Sequence, residues 1–399
     1  MRFLNTPPLG RWERSPFTLL VALTACGTLG MHVIIPALPA TARAMNISIS
    51  TAQLTITLYL IGLSIGQLVY GPLSDRFGRR PVLLAGMSLF TLASIVTAAA
   101  PNPAVLIGAR IIQSLGGCSG LVLGRAAVRD STTPDKAAGQ LALLTLTMSM
   151  VPAIAPAIGG FLTALIHWRA SYVLLAAIGG LTLLVTFLIL PETNRSRLSG
   201  PVGRSLWLSY VRLLASPVFR GYAIGGALST TSFYAFMAAA PFIFEIHLHQ
   251  PPQNVGMYYL VLMFGVAAGS FLANRISRKA PLRVGITISN AFTVVGSTAF
   301  MVAYLTGHAT VPAVLGTMFV FMMGTGMTSP FALAGSVSAN PQTIGAASGM
   351  YGFIQMGYGM LCTVAVEVWA PGEIYPVCAI LLASSLAGMV VIRLGVRRG

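Results

Sequence analysis

Acid is what this sequence lacks most. Eight Asp and Glu stand among 399 residues, against 24 Lys and Arg, and charged residues of both signs make up only 8%. A soluble domain carries about a quarter. So few charges cannot coat a globule of this length, so lipid must solvate much of the surface. The motifs of intramembrane chemistry are missing too: there is no HExxH, no pair of carboxylates within an apolar stretch and no GxxxxGK[ST] phosphate loop, and the GxSxG match Gly62-Leu-Ser-Ile-Gly66 lies inside an apolar run rather than at a strand-to-helix turn. The chain therefore reads as no enzyme, with no cofactor, no metal and no ATP hydrolysis of its own. Cysteine is equally sparse. Cys26, Cys118, Cys362 and Cys378 lie in apolar stretches without a CxxC pair, and read as small core residues.

What is abundant is apolar length. Hydrophobic residues make up 55% of the chain, and its mean hydropathy is +0.81. A helix needs about 20 apolar residues to cross a bilayer. Segments of that kind run over 17–38, 51–72, 81–100, 103–124, 138–164, 170–190, 221–243, 255–273, 283–305, 311–333, 344–366 and 374–394. They are too continuously apolar for the alternation of a barrel strand, and backbone groups in lipid must bond internally. The expectation is an all-α membrane protein of twelve spans. Met1 to Pro16 is polar and basic with no cleavage-type pattern, and the run after it is too long for a signal segment, so it reads as the first span.

The bases are not scattered. Arg2, Arg11 and Arg14 precede span 1; Arg76, Arg79 and Arg80 follow span 2; Arg125, Arg129 and Lys136 follow span 4. Arg195, Arg197, Arg204, Arg212 and Arg220 follow span 6; Arg275, Arg278, Lys279 and Arg283 follow span 8; Arg393, Arg397 and Arg398 close the chain. With twelve spans, all of these fall on one face, whereas Arg43 and Arg169 fall on the other and Arg110 lies inside span 4. The positive-inside rule then puts both termini and the even loops in the cytoplasm. It also explains the net charge of +16 without nucleic acid, for which basic clusters with interleaved aromatics are absent.

The longest connection, 191–220, is polar and basic and holds Pro191, Pro201 and Pro217. It reads as a linker between a first half, 1–190, and a second, 221–399. A weak repeat agrees. Gly71–Arg80 after span 2 has a basic counterpart at Asn274–Arg283 after span 8, 203 residues on, and Pro156 of span 5 has Gly357 of span 11, 201 residues on.

Three motifs carry function. Gly71-Pro-Leu-Ser-Asp-Arg-Phe-Gly-Arg-Arg80 sits between spans 2 and 3. Gly71 and Gly78 suit tight turns, and Asp75 is placed among guanidiniums, where charge-assisted bonds could hold two helix bundles together until they rock apart. Arg110-Ile-Ile-Gln-Ser-Leu-Gly116 puts a guanidinium about seven residues into span 4. Such a charge is expensive unless it faces protein or water, so Arg110 is a functional candidate, with snorkelling as the bland alternative; Gln113, one turn on, can orient it. Val151-Pro-Ala-Ile-Ala-Pro-Ala-Ile-Gly-Gly160 fills span 5. Pro152, Pro156 and Gly160 recur every fourth residue beside Gly159, which suits a helix that bends and slides.

The first of these resembles the signature G-x-L-x-D-R-x-G-R-R of the major facilitator superfamily. The span 4 motif resembles that family's R-x-x-Q-G-x-G, with Ser114 for a glycine, and the span 5 motif resembles its antiporter motif, with Ala155 for a glycine. Span 2 with Gln53, Tyr59 and Gln67, and the span 1 exit Ile35-Pro-Ala-Leu-Pro39, look like the Bcr/CflA drug-resistance branch. The resemblance implies a major facilitator fold of two six-helix halves. It also implies an inner-membrane exporter, functional as a monomer, of small amphipathic drug-like molecules, driven by proton antiport. The rival is a facilitator or exporter for a sugar, amino acid or siderophore precursor. The switch would involve Gly71, Asp75, Arg76, Gly78, Arg79, Arg80, Arg110, Gln113, Pro152, Pro156, Gly159 and Gly160, with Arg110 tied to proton coupling.

One departure stands out. His32 occupies span 1 where many relatives of that branch carry an aspartate. It could carry a proton near neutral pH or be a neutral pocket-lining residue. Tyr59, with Phe233, Tyr234 and Phe236 of span 7 and Gln355, Met356 and Tyr358 of span 11, could line an apolar cavity or merely pack. Glu245 and Glu367, near helix ends away from the basic face, are weaker proton-site candidates.

Overall fold

The computed structural model describes residues 17–131, 134–194, 202–338 and 344–396, and among them every regular element is helical. The N-terminal arginines, Arg195, Arg197, Arg397 and Arg398 lie outside the described residues.

The expected spans appear as helices or helix pairs, most of them longer than the apolar runs that announce them. Span 1 is α1 (Phe17–His32), a 3₁₀ turn (Ile35–Ala37) and α2 (Leu38–Met45). Its break falls where Pro36 has no N–H for the His32 carbonyl. Then come α3 (Ile49–Phe77), α4 (Arg79–Ala98), α5 (Pro103–Ser131), α6 (Pro134–Leu165) and α7 (Ala170–Ile189). The connection 191–220 contains a helix that the run of prolines and bases does not announce, α8 (Val202–Ala215). Span 7 is interrupted as span 1 is: α9 (Pro217–Thr231), α10 (Phe233–Phe242) and a π turn (Ile243–His247). The chain closes with α11 (Pro252–Ser277), α12 (Leu282–Leu305), α13 (Val311–Ser338), α14 (Ile344–Trp369) and α15 (Ile374–Val396). Among the described residues ten helices are long and apolar enough to cross a membrane; α6 and α14, at 32 and 26 residues, occupy the positions of the other two expected spans.

Three prolines, Pro72, Pro241 and Pro330, lie inside helices that continue through them, and the reason is specific. A proline at position i frees the carbonyl at i−4. Pro72 frees Leu68 O, which accepts from the Tyr210 hydroxyl of α8 at 3.3 Å. Pro241 frees Met237 O, which accepts from Tyr259 of α11 at 2.8 Å. Pro330 frees Gly326 O, which accepts from Ser270 of α11 at 3.2 Å. A side chain from a neighbouring helix thus replaces the lost bond where water cannot.

Side chains such as Leu92, Leu181, Phe264 and Val368 point outward with more than half their surface bare, as a lipid-facing belt requires. Inside, α1 packs on α5 and α6, and α3 and α4 pack on α5; α9 packs on α13 and α15, and α12 on α13. Two further pairs join the first six spans to the last six: α3 with α14, and α6 with α11. These are spans 2, 11, 5 and 8, the four in which the sequence repeat is visible. All four cysteines are free and buried.

Candidate functional site

The buried guanidinium of Arg110 is the centre of the first half. It is completely inaccessible, so it does not snorkel. Its Nη1 donates to Gly30 O of α1 at 2.9 Å and to Gln113 Oε1 at 2.5 Å, and its Nε donates to Thr55 O of α3 at 3.2 Å. Gln113 passes the chain on: its Nε2 donates to Ser94 Oγ of α4 at 2.7 Å, and that hydroxyl donates to Phe90 O at 2.6 Å. Arg110 Cζ lies 4.1 Å from the centre of the Tyr59 ring and 5.9 Å from that of Tyr172. Four helices thus converge on one cation, held by neutral oxygens and aromatic faces. Among the described ion pairs none includes Arg110, and its Nη2 has no hydrogen-bond partner. A buried cation without a carboxylate is poised to respond to any charge that approaches it. Tyr59 belongs to this cluster: it is fully buried, and its hydroxyl donates to Gly27 O at 2.7 Å.

His32 ends α1 at the span 1 break, only 3% exposed, with Nδ1 2.8 Å from Thr28 O. The next residue explains the small-residue motif. A Cβ on Gly159 would stand 1.7 Å from Val33 O, so only glycine lets α6 approach the broken span. On another side of the same helix, Gly256 of α11 meets Pro156 and Ala157 so closely that its own Cβ would lie 2.8 Å from Pro156 O. Pro152 is partly exposed; Pro156, Gly159 and Gly160 are buried. The span 5 motif therefore sits between the span 1 break and a helix of the second half.

The signature between spans 2 and 3 is mostly not a loop. α3 continues to Phe77, so Gly71 to Phe77 are helical, and a Cβ on Gly71 would meet nothing within 4 Å. Gly71 makes no tight turn. Only Gly78 does, at φ +101°. Other acids join Asp75 there. Asp75 Oδ1 lies 2.6 Å from Arg79 Nη1, and Arg79 Nε donates to Asp130 of α5 at 2.9 Å. Glu192, after span 6, accepts from the backbone N–H of Arg79 at 2.8 Å and of Arg80 at 3.4 Å, while Arg80 Nη2 donates to Phe187 O at 2.8 Å. Asn194 donates to the Ser74 and Asp75 carbonyls at 3.2 and 3.1 Å. The expected bonds from this motif to the other bundle are not among the described ones, all of which stay in the first half; Arg76 lies over its neighbour Phe77. In this conformation the motif is a brace among spans 2, 3, 4 and 6. Two acids far away in sequence, Asp130 and Glu192, could have been sought as the counter-ions of so basic a face.

In the second half, Gln355 Nε2 donates to Thr230 at 3.0 Å and to Tyr351 at 3.3 Å, with Met356 partly exposed beside it. Tyr358 shares a 2.6 Å bond with Ser384. Tyr234 stacks on Phe233 with ring centres 4.2 Å apart and lies over Gly359. Phe236 is fully buried between Phe244 and Phe300, inside the second half's packing rather than on a wall.

Among the described residues, bonds across the two halves are few. Ser64 Oγ donates to Phe353 O at 3.0 Å, and Gln53 Nε2 to Ala238 O at 3.2 Å. Thr57 of α3 meets Thr363 Oγ1 at 2.8 Å and also bonds Glu367 of α14. Arg43 pairs with Glu245 of the π turn. The last three contacts lie at the end opposite the basic face. Neither Thr57 nor Thr363 stands out in the sequence.

Comparison with known proteins agrees with this architecture. The family model described as Major Facilitator Superfamily matches residues 20–362. The uncharacterized MFS-type transporter YdgK of Bacillus subtilis is 30% identical, covering 96% of this chain and 95% of its own. Multidrug resistance protein D of Escherichia coli is 28% identical over 89% of each chain, and a bicyclomycin resistance protein homolog of Haemophilus influenzae is 24% identical over 88% of each. The crystal structure of a D-xylose-proton symporter superposes with a TM-score of 0.72 at 15% identity, covering 93% of this chain and 96% of that one. That likeness shows the fold. With paired helix bundles, a buried span 4 arginine and a family match along most of its length, this chain belongs to the major facilitator superfamily.

Proposed function

We propose that this protein is a secondary active exporter of small amphipathic drug-like molecules, of the Bcr/CflA kind, driven by proton antiport in a bacterial inner membrane. The basic face is cytoplasmic and holds both termini, and one chain is the functional unit. The two halves rock about a site between them, which opens to each side in turn. The observation that carries this reading is the span 5 helix, whose Pro152–Gly160 stretch is wedged between the span 1 break and α11 of the other half. A helix with two prolines and paired glycines at that junction can bend and slide. The relatives named for multidrug and bicyclomycin resistance support drug-like substrates. The polar bonds described between the halves would need to exchange in the rocking step, each worth about 1 kcal/mol net. Cells producing the protein should accumulate less of a fluorescent amphipathic dye than control cells, and a protonophore should abolish the difference. Equal accumulation with and without the protein across a dye panel would turn the reading towards a metabolite carrier.

A further inference from the structure

The eight acids of this chain divide by place. Asp75, Asp130 and Glu192 belong to the brace on the basic face. Glu245 is paired with Arg43, and Glu373 lies 3.8 Å from His247. Glu13 precedes span 1, and Asp135 lies in the first turn of α6. Glu367 lies in α14, close to the end of that helix at Trp369 and away from the basic face. None of the described ion pairs includes it. Its partner is a hydroxyl from the other half of the molecule, Thr57.

Proton counting along this contact is informative. Thr363 directs its hydroxyl to Met360 O at 2.8 Å, within its own helix. Thr57 lies 2.8 Å from Thr363 Oγ1 and is also bonded to Glu367. A hydroxyl has one proton to give. If Thr57 gives its proton to Thr363, the bond between Thr57 and Glu367 needs a proton from the acid. The chain from Glu367 through Thr57 and Thr363 to Met360 O then closes with one proton on Glu367. If the acid is ionised, it takes the proton of Thr57, whose Oγ1 also lies 3.5 Å from Gln53 O, and the Thr57–Thr363 contact has no proton unless Thr363 turns away from Met360 O.

The surroundings do not offer a cation instead. Over the facing stretch of α3, Ile49 to Leu60, the only titratable side chain is Tyr59, which is committed to Gly27 and Arg110. α10 brings Tyr234, stacked on Phe233. α15 brings Tyr375, against Trp369, and the buried thiol of Cys378, while α14 itself carries Cys362 and Tyr358, the latter bonded to Ser384. The π turn brings Glu245 and His247, engaged with Arg43 and Glu373. Carrying an ionised carboxylate from water into hydroxyls and apolar groups is costly, and carrying its neutral acid is far less so.

We propose that Glu367 is a proton-binding site of the gate opposite the basic face, at which proton uptake and closure of span 2 on span 11 favour each other. The inference rests on the alternating-access reading, in which these two spans separate at that end and expose Glu367 to the outer water. An acidic outer face would then favour outward closure of the emptied exporter.

The test uses the full-length protein in lipid nanodiscs, with spin labels at Ala44→Cys of α2 and Val368→Cys of α14, both exposed positions on opposite halves. Distance distributions are measured from about pH 8 to about pH 5, the range in which an interface carboxyl can titrate, and separately with tetraphenylphosphonium as a lipophilic cation probe. Acidification should enrich the short distance in the labelled parent. Glu367→Gln, which keeps hydrogen bonding without titration, should hold the short distance at every pH, and Glu367→Asp should restore a pH response. A Glu367→Gln protein that titrates like its parent overturns the proposal, since His247 or Glu245 would then carry the effect. Distances that move with the probe but not with pH overturn it alone. Distances that move with neither overturn it together with alternating access.

Discussion

At the scale of single residues, the most consequential choice in this chain is a buried arginine with no acid to match it. Lysine at position 110 keeps the charge but cannot reach Gly30 O, Thr55 O and Gln113 together, because the planar fork is lost. Arg110→Lys should therefore lower thermal stability in detergent by on the order of 1.5–3 kcal/mol, the worth of a hydrogen bond to a charged group. Transport should be partial at most, and Arg110→Ala should abolish it. Wild-type flux in the alanine variant, measured in vesicles, would reduce Arg110 to a packing residue. His32 is a different case. It is buried at the end of α1 and bonded to a carbonyl of its own helix, with no described bond across the halves. His32→Gln can keep that bond through its amide and should retain flux driven by a pH gradient. Loss of gradient-driven flux with exchange preserved would instead make His32 the proton carrier. Residue types announced both positions, since charge and histidine are rare in spans. They did not announce the partners. Gln113 is legible because it lies one turn from Arg110, whereas Gly30 O and Thr55 O are backbone atoms of other helices and leave no trace in composition.

At the scale of elements, hydropathy located the spans because lipid imposes length and apolarity on them, and it failed where another term decides. α8 was hidden by its bases and by Pro201 and Pro217 at its flanks; its 14 residues are amphipathic rather than apolar. The helical extension through Gly71-Pro72 was hidden because both residues read as breakers. The Tyr210 hydroxyl on Leu68 O supplies what the sequence could not show. Tyr210→Phe should keep the ring of α8 in place and leave that carbonyl without its donor, costing about 1–3 kcal/mol. A lowered melting temperature in detergent, together with easier proteolysis of 191–220, is the expected result. An unchanged melting temperature would mean that water reaches Leu68 O and that the linker helix does not brace α3. The signature motif shows the same limit. Its glycine, acid and arginines suggest a switch between the halves, whereas the brace they form depends on Asp130 and Glu192, at distances of 51 and 113 residues from Arg79.

At the scale of the whole molecule, the repeat and the interface are one fact. The four spans that show the weak repeat are the four that pack most extensively across the halves, as expected when a half-sized unit is doubled about a twofold axis normal to the membrane. The bases predict the orientation. Reporter fusions at about residue 200 should report the cytoplasm, and one at about residue 170 the outside; a cytoplasmic signal at 170 would break the span map. The central claim is coupled export by rocking halves. Its most direct test is flux of a labelled amphipathic drug in proteoliposomes of the purified protein under an imposed pH gradient. The account predicts that the drug moves against the proton flow and concentrates on the acidic side, that collapsing the gradient abolishes concentration, and that exchange without net accumulation survives. Drug movement that is indifferent to the gradient, or absent while binding persists, would contradict it.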